Sequence, residues 1–220
     1  MAISILDNRL AFPHPRLADE EGLVAVGGDF SASRLLLAYR SGIFPWTVKP
    51  LTWWSPDPRG IFELDSFHVS RSLARVLRQA PFQISVDRAF RQVMEGCAAR
   101  APGRRGTWIT GEFIDAYTEL HRLGHAHSLE CWQGDMLVGG IYGVAIGGLF
   151  AGESMFHRVS NASKVALYRL VELLNQCSFV LFDIQMLTPI TAQLGGSWIL
   201  RNEYLKRLAS AVEKPCTFAA

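Results

Sequence analysis

The chain has 220 residues, 49% of them hydrophobic and 19% charged, so a packed core is within reach and a disordered chain is excluded. Net charge is +2, but between positions 71 and 105 eight arginines face only Asp87 and Glu95, so that stretch carries +6 and the rest −4. A basic segment on a nearly neutral protein points to an anionic partner.

Four widely spaced cysteines with no CxxC pair argue for a reduced, intracellular chain, not a disulfide framework. Asp7 and Arg9 interrupt any apolar run at the start, so no signal peptide is expected. Residues 1–60 are rich in turn formers, notably Phe12-Pro13-His14-Pro15, Gly27-Gly28-Asp29 and Ser55-Pro56-Asp57-Pro58, with one helix predicted over 31–40. This stretch reads as a small N-terminal domain, 1–60, ahead of a larger domain, 61–220. A strand at 60–64 leads to a helix at 70–79, and a strand at 82–86 to a helix at 88–97. A helix over 111–123 places Phe113, Tyr117 and Leu120 on one face. Strands are predicted at 128–132, 136–144 and 149–152. The run 136–152 has seventeen uncharged residues, six of them glycine, which suits buried strands better than a membrane span. Ser160 or Asn161 caps a helix running to 176, a strand covers 179–187, and a last helix covers 201–212. The fold class is therefore α+β, with a mixed, mostly antiparallel sheet and flanking helices. No coiled-coil pattern is visible, and a monomer is expected.

The strand 179–187 carries the first candidate site. If side chains alternate, Phe182, Ile184 and Met186 share one face, and Asp183 and Gln185 share the other, about 7 Å apart along the strand. An acid and an amide in an apolar run need partners or a cavity; a cleft-lining pair and a structural hydrogen-bonded pair both meet that need. Glu153 follows directly on an apolar strand, where it either holds a cationic substrate group or pairs with a nearby arginine. Arg71, Arg75 and Arg78 fall at i, i+4 and i+7, one stripe of a helix, fit either for a phosphate backbone or for solvent. Of six tryptophans, Trp46, Trp53, Trp54 and Trp108 lie in turn-rich segments; loop aromatics stack on bases, though packing is favoured for Trp53 and Trp54. His121, His125 and His127 lack the Cys or carboxylate that would complete a ligand set, so no metal is expected. No GxSxG, P-loop or dinucleotide fingerprint occurs.

Seven segments then occur in order: Phe44-Pro45-Trp46, Trp53-Trp54-Ser55-Pro56-Asp57-Pro58-Arg59, Gly106-Thr107-Trp108-Ile109, Leu123-Gly124-His125-Ala126-His127-Ser128, Gly152-Glu153-Ser154-Met155-Phe156, Asn161-Ala162-Ser163-Lys164 and Asp183-Ile184-Gln185. As an ordered set they resemble the bacterial leucyl/phenylalanyl-tRNA–protein transferase family, from about Phe12 to Leu205. The resemblance implies a C-terminal acetyltransferase-like (GNAT) domain. It implies transfer of Leu or Phe, and less readily Met, from aminoacyl-tRNA to acceptor proteins with N-terminal Arg or Lys. The product would be an N-end-rule degradation signal, made in the cytoplasm without membrane or cofactor. By the same resemblance Trp46 and Trp108 would flank the terminal adenosine. Ile141, Phe150, Met155 and Leu167, with Tyr117 as a neighbour, would line the aminoacyl pocket. Glu153, Asp183 and Gln185 would surround the reacting centre, and Arg71 and Arg75 would touch the acceptor stem. Because the ester is already activated, positioning carries much of the expected rate. Asp183 would orient Gln185, Gln185 would bind the attacking amine or relay its proton, and Glu153 would anchor the cationic N-terminal residue. The chain departs from the family pattern at 47–51, which is shorter, and at 101–105, which is longer and more basic. Ile141 stands where an unbranched Met can occur, which leaves the Leu/Phe preference open.

Two rivals remain at this level. A CoA-dependent N-acetyltransferase of the same fold needs a glycine-rich pyrophosphate loop, and Asn161 and Ser163 replace its small positions. A non-catalytic RNA-binding module accounts for the arginines and tryptophans but leaves Asp183 and Gln185 unexplained.

Overall fold

A computed structural model describes residues 3–99 and 107–219. Arg100, Arg104, Arg105 and the 101–105 segment lie outside the described residues.

The first sixty residues form more than turns and a helix. Four short strands, β1 (Ser4–Leu6), β2 (Leu23–Gly27), β3 (Phe44–Val48) and β4 (Leu51–Trp54), make a sheet in the order β1-β2-β4-β3. Their period-2 signal is lost because each has only three to five residues and the register of β3 shifts between Pro45 and Thr47. Helix α1 (Ala32–Arg40) crosses this sheet, with the Ser31 side chain accepting the Arg34 backbone N–H at its start. Trp53 is fully buried, donates its indole N–H to the Gly27 carbonyl and packs against Phe12 and Phe30.

The second sheet has seven strands: β5 (Arg59–Phe62), β6 (Gln83–Val86), β7 (Ala126–Gln133), β8 (Met136–Ile146), β9 (Leu149–His157), β10 (Leu181–Gln185) and β11 (Gly196–Ile199). Their order is β11-β5-β10-β9-β8-β7-β6. Only β9 and β10 run parallel; the remaining neighbours are antiparallel. The glycine-rich uncharged run is the β8–β9 hairpin, and no helix among the described residues is long and apolar enough to cross a membrane.

Two boundaries differ from the sequence-based expectation in ways that matter for the site. Strand β9 continues to His157, so Glu153 stands inside a strand and not after one. Strand β10 stops at Gln185, and the stretch that follows forms α6 (Pro189–Gln193) and β11, neither of which was expected. Thr188 starts α6 with a reciprocal cap to Thr191, a signal legible in Thr188-Pro189-Ile190-Thr191.

Alternation along β7–β9 sends side chains to two cores. On one face α3 (Phe90–Ala98) and α4 (Gly111–Arg122) pack with Tyr142, Val144 and Ala151, and continue through Tyr39 and Leu35 into the first sheet. On the other, α2 (Arg71–Gln79) and α5 (Ala162–Gln176) cover Leu129, Ile141, Phe150 and Phe182. Helix α7 (Arg201–Glu213) closes the end of β5 and β10 through Tyr204 and Leu208.

Candidate active site

Asp183 sits on an interior strand of the seven-stranded sheet, its backbone opposite Ile61 of β5 and Ala151 of β9. It is 1% exposed, and a buried carboxylate survives only with partners. Arg59, also 1% exposed, supplies them in a two-pronged pair: Nε donates to Oδ1 at 2.9 Å and Nη2 to Oδ2 at 2.7 Å. The Tyr204 hydroxyl adds a bond to Oδ2 at 2.8 Å. Arg59 spends a further N–H on the Gly42 carbonyl, and its guanidinium lies over the Tyr204 and Phe44 rings. Burial opposes the arginine's charge; the carboxylate beside it more than offsets this, and its pKa is raised.

The alternation expected along this strand fails at Gln185. The Gln185 backbone N–H donates to Asp183 Oδ1 at 2.9 Å, an Asx-type closure that draws residue 185 into the left-handed region at φ 55°. Register shifts between Asp183 and Gln185, so the strand carries a bulge. Ile184 keeps the face it shares with Phe182, as alternation predicts, and with Met186 it borders the cavity. Gly60 makes room for this: a Cβ there would stand 2.9 Å from the Met186 carbonyl carbon.

Gln185 reaches sideways to β9, donating from Nε2 to Glu153 Oε1 at 2.9 Å. The same oxygen accepts the Tyr39 hydroxyl at 2.7 Å, and Tyr39 in turn meets the Tyr117 hydroxyl. One edge of Glu153 opens on a cavity, but protein surrounds the rest. Burial pushes its carboxyl up to about 8; the Tyr39 bond pulls the other way, Asp183 raises it further, and Arg59 and Gln185 favour the charged form.

That cavity has a volume of about 450 Å³, within the range of small-molecule sites. Its wall is mostly apolar: Phe62, Trp108, Ile141, Met155, Leu167, Ile184 and Met186, closed on one side by Thr188, Ile190 and Thr191. Among the described residues Glu153 is the one ionisable group lining it. A second hollow of about 320 Å³ lies between Trp46 and Trp108, with Lys49 and Glu112 paired at 2.7 Å beside it. Trp108 borders both.

The structure thus brings Trp108, Ile141, Glu153, Met155 and Leu167 to one cavity and Trp46 to its neighbour. Phe150 and Tyr117, named with them by the resemblance, do not line this cavity. Phe150 is 1% exposed and packs among Phe179, Phe182 and Phe218, because β9 turns its side chain into the core under α5. Tyr117 is buried in the opposite core and touches the site through Tyr39. Arg71, Arg75 and Arg78 lie on the exposed side of α2 while Leu73 packs inward. His121 stacks on Phe90, and His127 holds Asp87 at 2.6 Å; among the described residues no group of three His, Cys, Asp or Glu could hold a metal.

In the sequence Arg59 stands out only as the end of a motif, with no role, and Tyr204 and Tyr39 do not stand out. A signal existed for Arg59: it opens an apolar strand, and an acid buried in another apolar strand needs a cation. The tyrosines carried none, since both read as ordinary apolar positions of their helices.

Known proteins are similar in sequence to this chain over nearly its whole length. Residues 61–209 match the model of the family described as leucyl/phenylalanyl-tRNA protein transferase, and residues 28–57 match the model of its N-terminal domain. The chain is similar to the leucyl/phenylalanyl-tRNA–protein transferase of Anaeromyxobacter sp. strain Fw109-5, at 51% identity over 218 residues, covering 98% of this chain and 93% of the relative. It is similar to that of Pseudoalteromonas atlantica at 50% identity over 216 residues, covering 96% and 92%. Among solved structures, L-PGS from Bacillus licheniformis aligns with a TM-score of 0.45 and 12% identity, covering 84% of this chain and 71% of that one.

Proposed function

The chain belongs to the leucyl/phenylalanyl-tRNA protein transferase family and is an aminoacyltransferase, and on that footing we propose that it moves Leu or Phe, and less readily Met, from charged tRNA to the α-amine of proteins beginning with Arg or Lys. The product is a degradation signal of the N-end rule, made in the cytoplasm by a monomer. The chain divides near residue 60 into a small N-terminal domain and an acetyltransferase-like (GNAT) domain. The single observation carrying the reading is an apolar cavity of about 450 Å³ bordered by Glu153, whose carboxyl Gln185 holds by a hydrogen bond.

In this reading the aminoacyl side chain lies between Ile141, Met155 and Leu167, and the terminal adenosine lies in the hollow between Trp46 and Trp108. The ester then falls near their common wall at Trp108, within reach of Glu153. An apolar pocket separates side chains differing by one methylene by about 1–3 kcal/mol, so the width between Ile141 and Met155 sets the amino-acid preference.

The chemistry follows from what each group has to spare. Gln185 donates its amide N–H to Glu153, which leaves the amide oxygen to accept from the incoming amine. Glu153 with a pKa of about 8 matches an ordinary α-amino group at about 7.7–8.0. A proton passes between the two at little cost near neutral pH. The uncharged amine attacks the ester carbonyl, the new N–C bond forms, the C–O bond to the ribose breaks, and the proton leaves with the ribose hydroxyl. Asp183 touches none of the reacting atoms; it holds the Gln185 backbone and so aims its amide. The exposed arginines of α2 meet the phosphates of the acceptor stem.

The test is transfer of radiolabelled Leu from Leu-tRNA to a peptide beginning with Arg or Lys, beside the same peptide N-acetylated. The free peptide should be labelled and the acetylated one should not; label on the acetylated peptide would exclude the α-amine as acceptor.

A further inference from the structure

Glu153 stands on β9 of the large sheet, yet one of the two donors on its Oε1 comes from the first sixty residues. Tyr39, on α1, is 2% exposed and donates its hydroxyl to Glu153 at 2.7 Å. Having given its one proton to the carboxylate, that hydroxyl accepts from Tyr117 on α4, which is fully buried. The order of donation is therefore Tyr117 to Tyr39 to Glu153, three side chains from three elements, with only the last bordering the cavity.

We propose that Tyr39 is a positioning residue for aminoacyl transfer: through its hydroxyl, backed by Tyr117, it holds the Glu153 carboxyl against the cavity and favours its charged form. The inference rests on the reading of Glu153 given above and deepens it. The groups facing Glu153 define the balance. Burial and the Asp183 carboxylate disfavour its charge, while the Tyr39 hydroxyl, the Arg59 guanidinium and the Gln185 amide favour it. Arg59 is already engaged two-pronged by Asp183, and Gln185 is needed at the amine. Tyr39 is the donor that serves Glu153 and has no place in the cavity. Burial holds both phenols well above their ordinary pKa, so they remain protonated donors wherever the enzyme works. The pair also gives the first sixty residues a direct hold on the reacting centre.

The full-length Tyr39→Phe and Tyr117→Phe variants keep their rings and lose one hydroxyl each. In Tyr39→Phe, kcat should fall at least tenfold with KM for Leu-tRNA within twofold of wild type. The acid limb of its kcat/KM profile should move to higher pH by half a unit or more, since Glu153 becomes harder to ionise. Tyr117→Phe should shift the limb the same way by less. Introducing 3,5-difluorotyrosine at position 39, a stronger donor of nearly the same shape, should move the limb to lower pH, a shift of opposite sign that a packing role does not produce. It also serves if the Phe variant fails to fold. Profiles that superimpose on wild type in both position-39 variants would overturn the proposal. Glu153→Gln separates the two readings: loss of the acid limb keeps Glu153 as the titrating group whatever Tyr39 does, and a retained wild-type limb would overturn both.

Discussion

Arg59 and Asp183 form the pair on which the site depends at the scale of single residues. Each is almost wholly out of water, and taking one partner away leaves a buried charge that costs about 3–5 kcal/mol. Arg59→Ala should therefore lower unfolding free energy by that amount in a urea titration, whereas an exposed pair such as Arg122–Glu119 should contribute no more than about 1 kcal/mol. Glu153 makes a different forecast. Its folded pKa of about 8 lies above the ordinary value of 4.5, so the native state binds more proton than the unfolded chain between those values. Stability from this group is complete below about pH 4.5 and declines as pH rises toward 8. The urea midpoint of wild type should fall across that window relative to Glu153→Gln; parallel curves would mean the carboxyl is not raised. At this scale the sequence was partly legible. Asp183, Gln185 and Glu153 stand out as polar residues in apolar runs, but their partners do not, because Arg59 and Tyr39 lie more than a hundred residues away and nothing local marks the pairing.

At the scale of elements, β10 carries the site because it is irregular. The bulge closed by the Asp183 carboxylate puts residue 185 in the left-handed region, from which Gln185 reaches Glu153, while Ile184 keeps the Phe182 face and borders the cavity. The main helices were legible because their stripes are long: Leu167, Leu170, Val171 and Leu174 repeat at helical spacing on α5. The strands of the first sheet were not, since three to five residues cannot display alternation, and the bulge was not, since it depends on a side chain capturing a backbone N–H. The register of β5 against β10 requires the absence of a side chain at position 60. Gly60→Ala, whose Cβ would meet the Met186 carbonyl carbon at 2.9 Å, should cost about 1–3 kcal/mol. It should reduce transfer by more than it reduces tRNA binding, which a gel-shift titration run beside the activity assay would resolve.

For the whole molecule, the two sheets share one apolar core through Tyr39, Leu35, Phe113 and Tyr142. The hydrogen-bonded network around Asp183 and Glu153 draws on elements from both ends of the chain: α1, β5, β9, β10 and α7. The basic helix α2 lies on the outside, over the core that holds Ile141 and Leu167. Replacing Arg71, Arg75 and Arg78 together with alanine should raise KM for Leu-tRNA and leave kcat near wild type. The logarithmic salt dependence of binding should flatten by about 1 for each phosphate that is no longer neutralised; an unchanged slope would mean that the stripe faces only solvent. The overall α+β plan was legible from the helices and the long β7–β9 strands. The meeting of distant segments became visible only in the fold, although the ordered motifs, read as a resemblance, already named most of the residues that line the cavity.

In the proposed reaction Glu153, which borders the apolar cavity, and Gln185, bonded to it, bring the acceptor amine to the aminoacyl ester. The sharpest check is the single-turnover rate of Leu transfer from saturating Leu-tRNA to a peptide beginning with Arg, compared between wild type and Gln185→Ala. The variant should react about 10²–10³-fold more slowly, with Leu-tRNA affinity and unfolding midpoint close to wild type. A wild-type transfer rate in Gln185→Ala would show that the amine is brought to the ester by other groups.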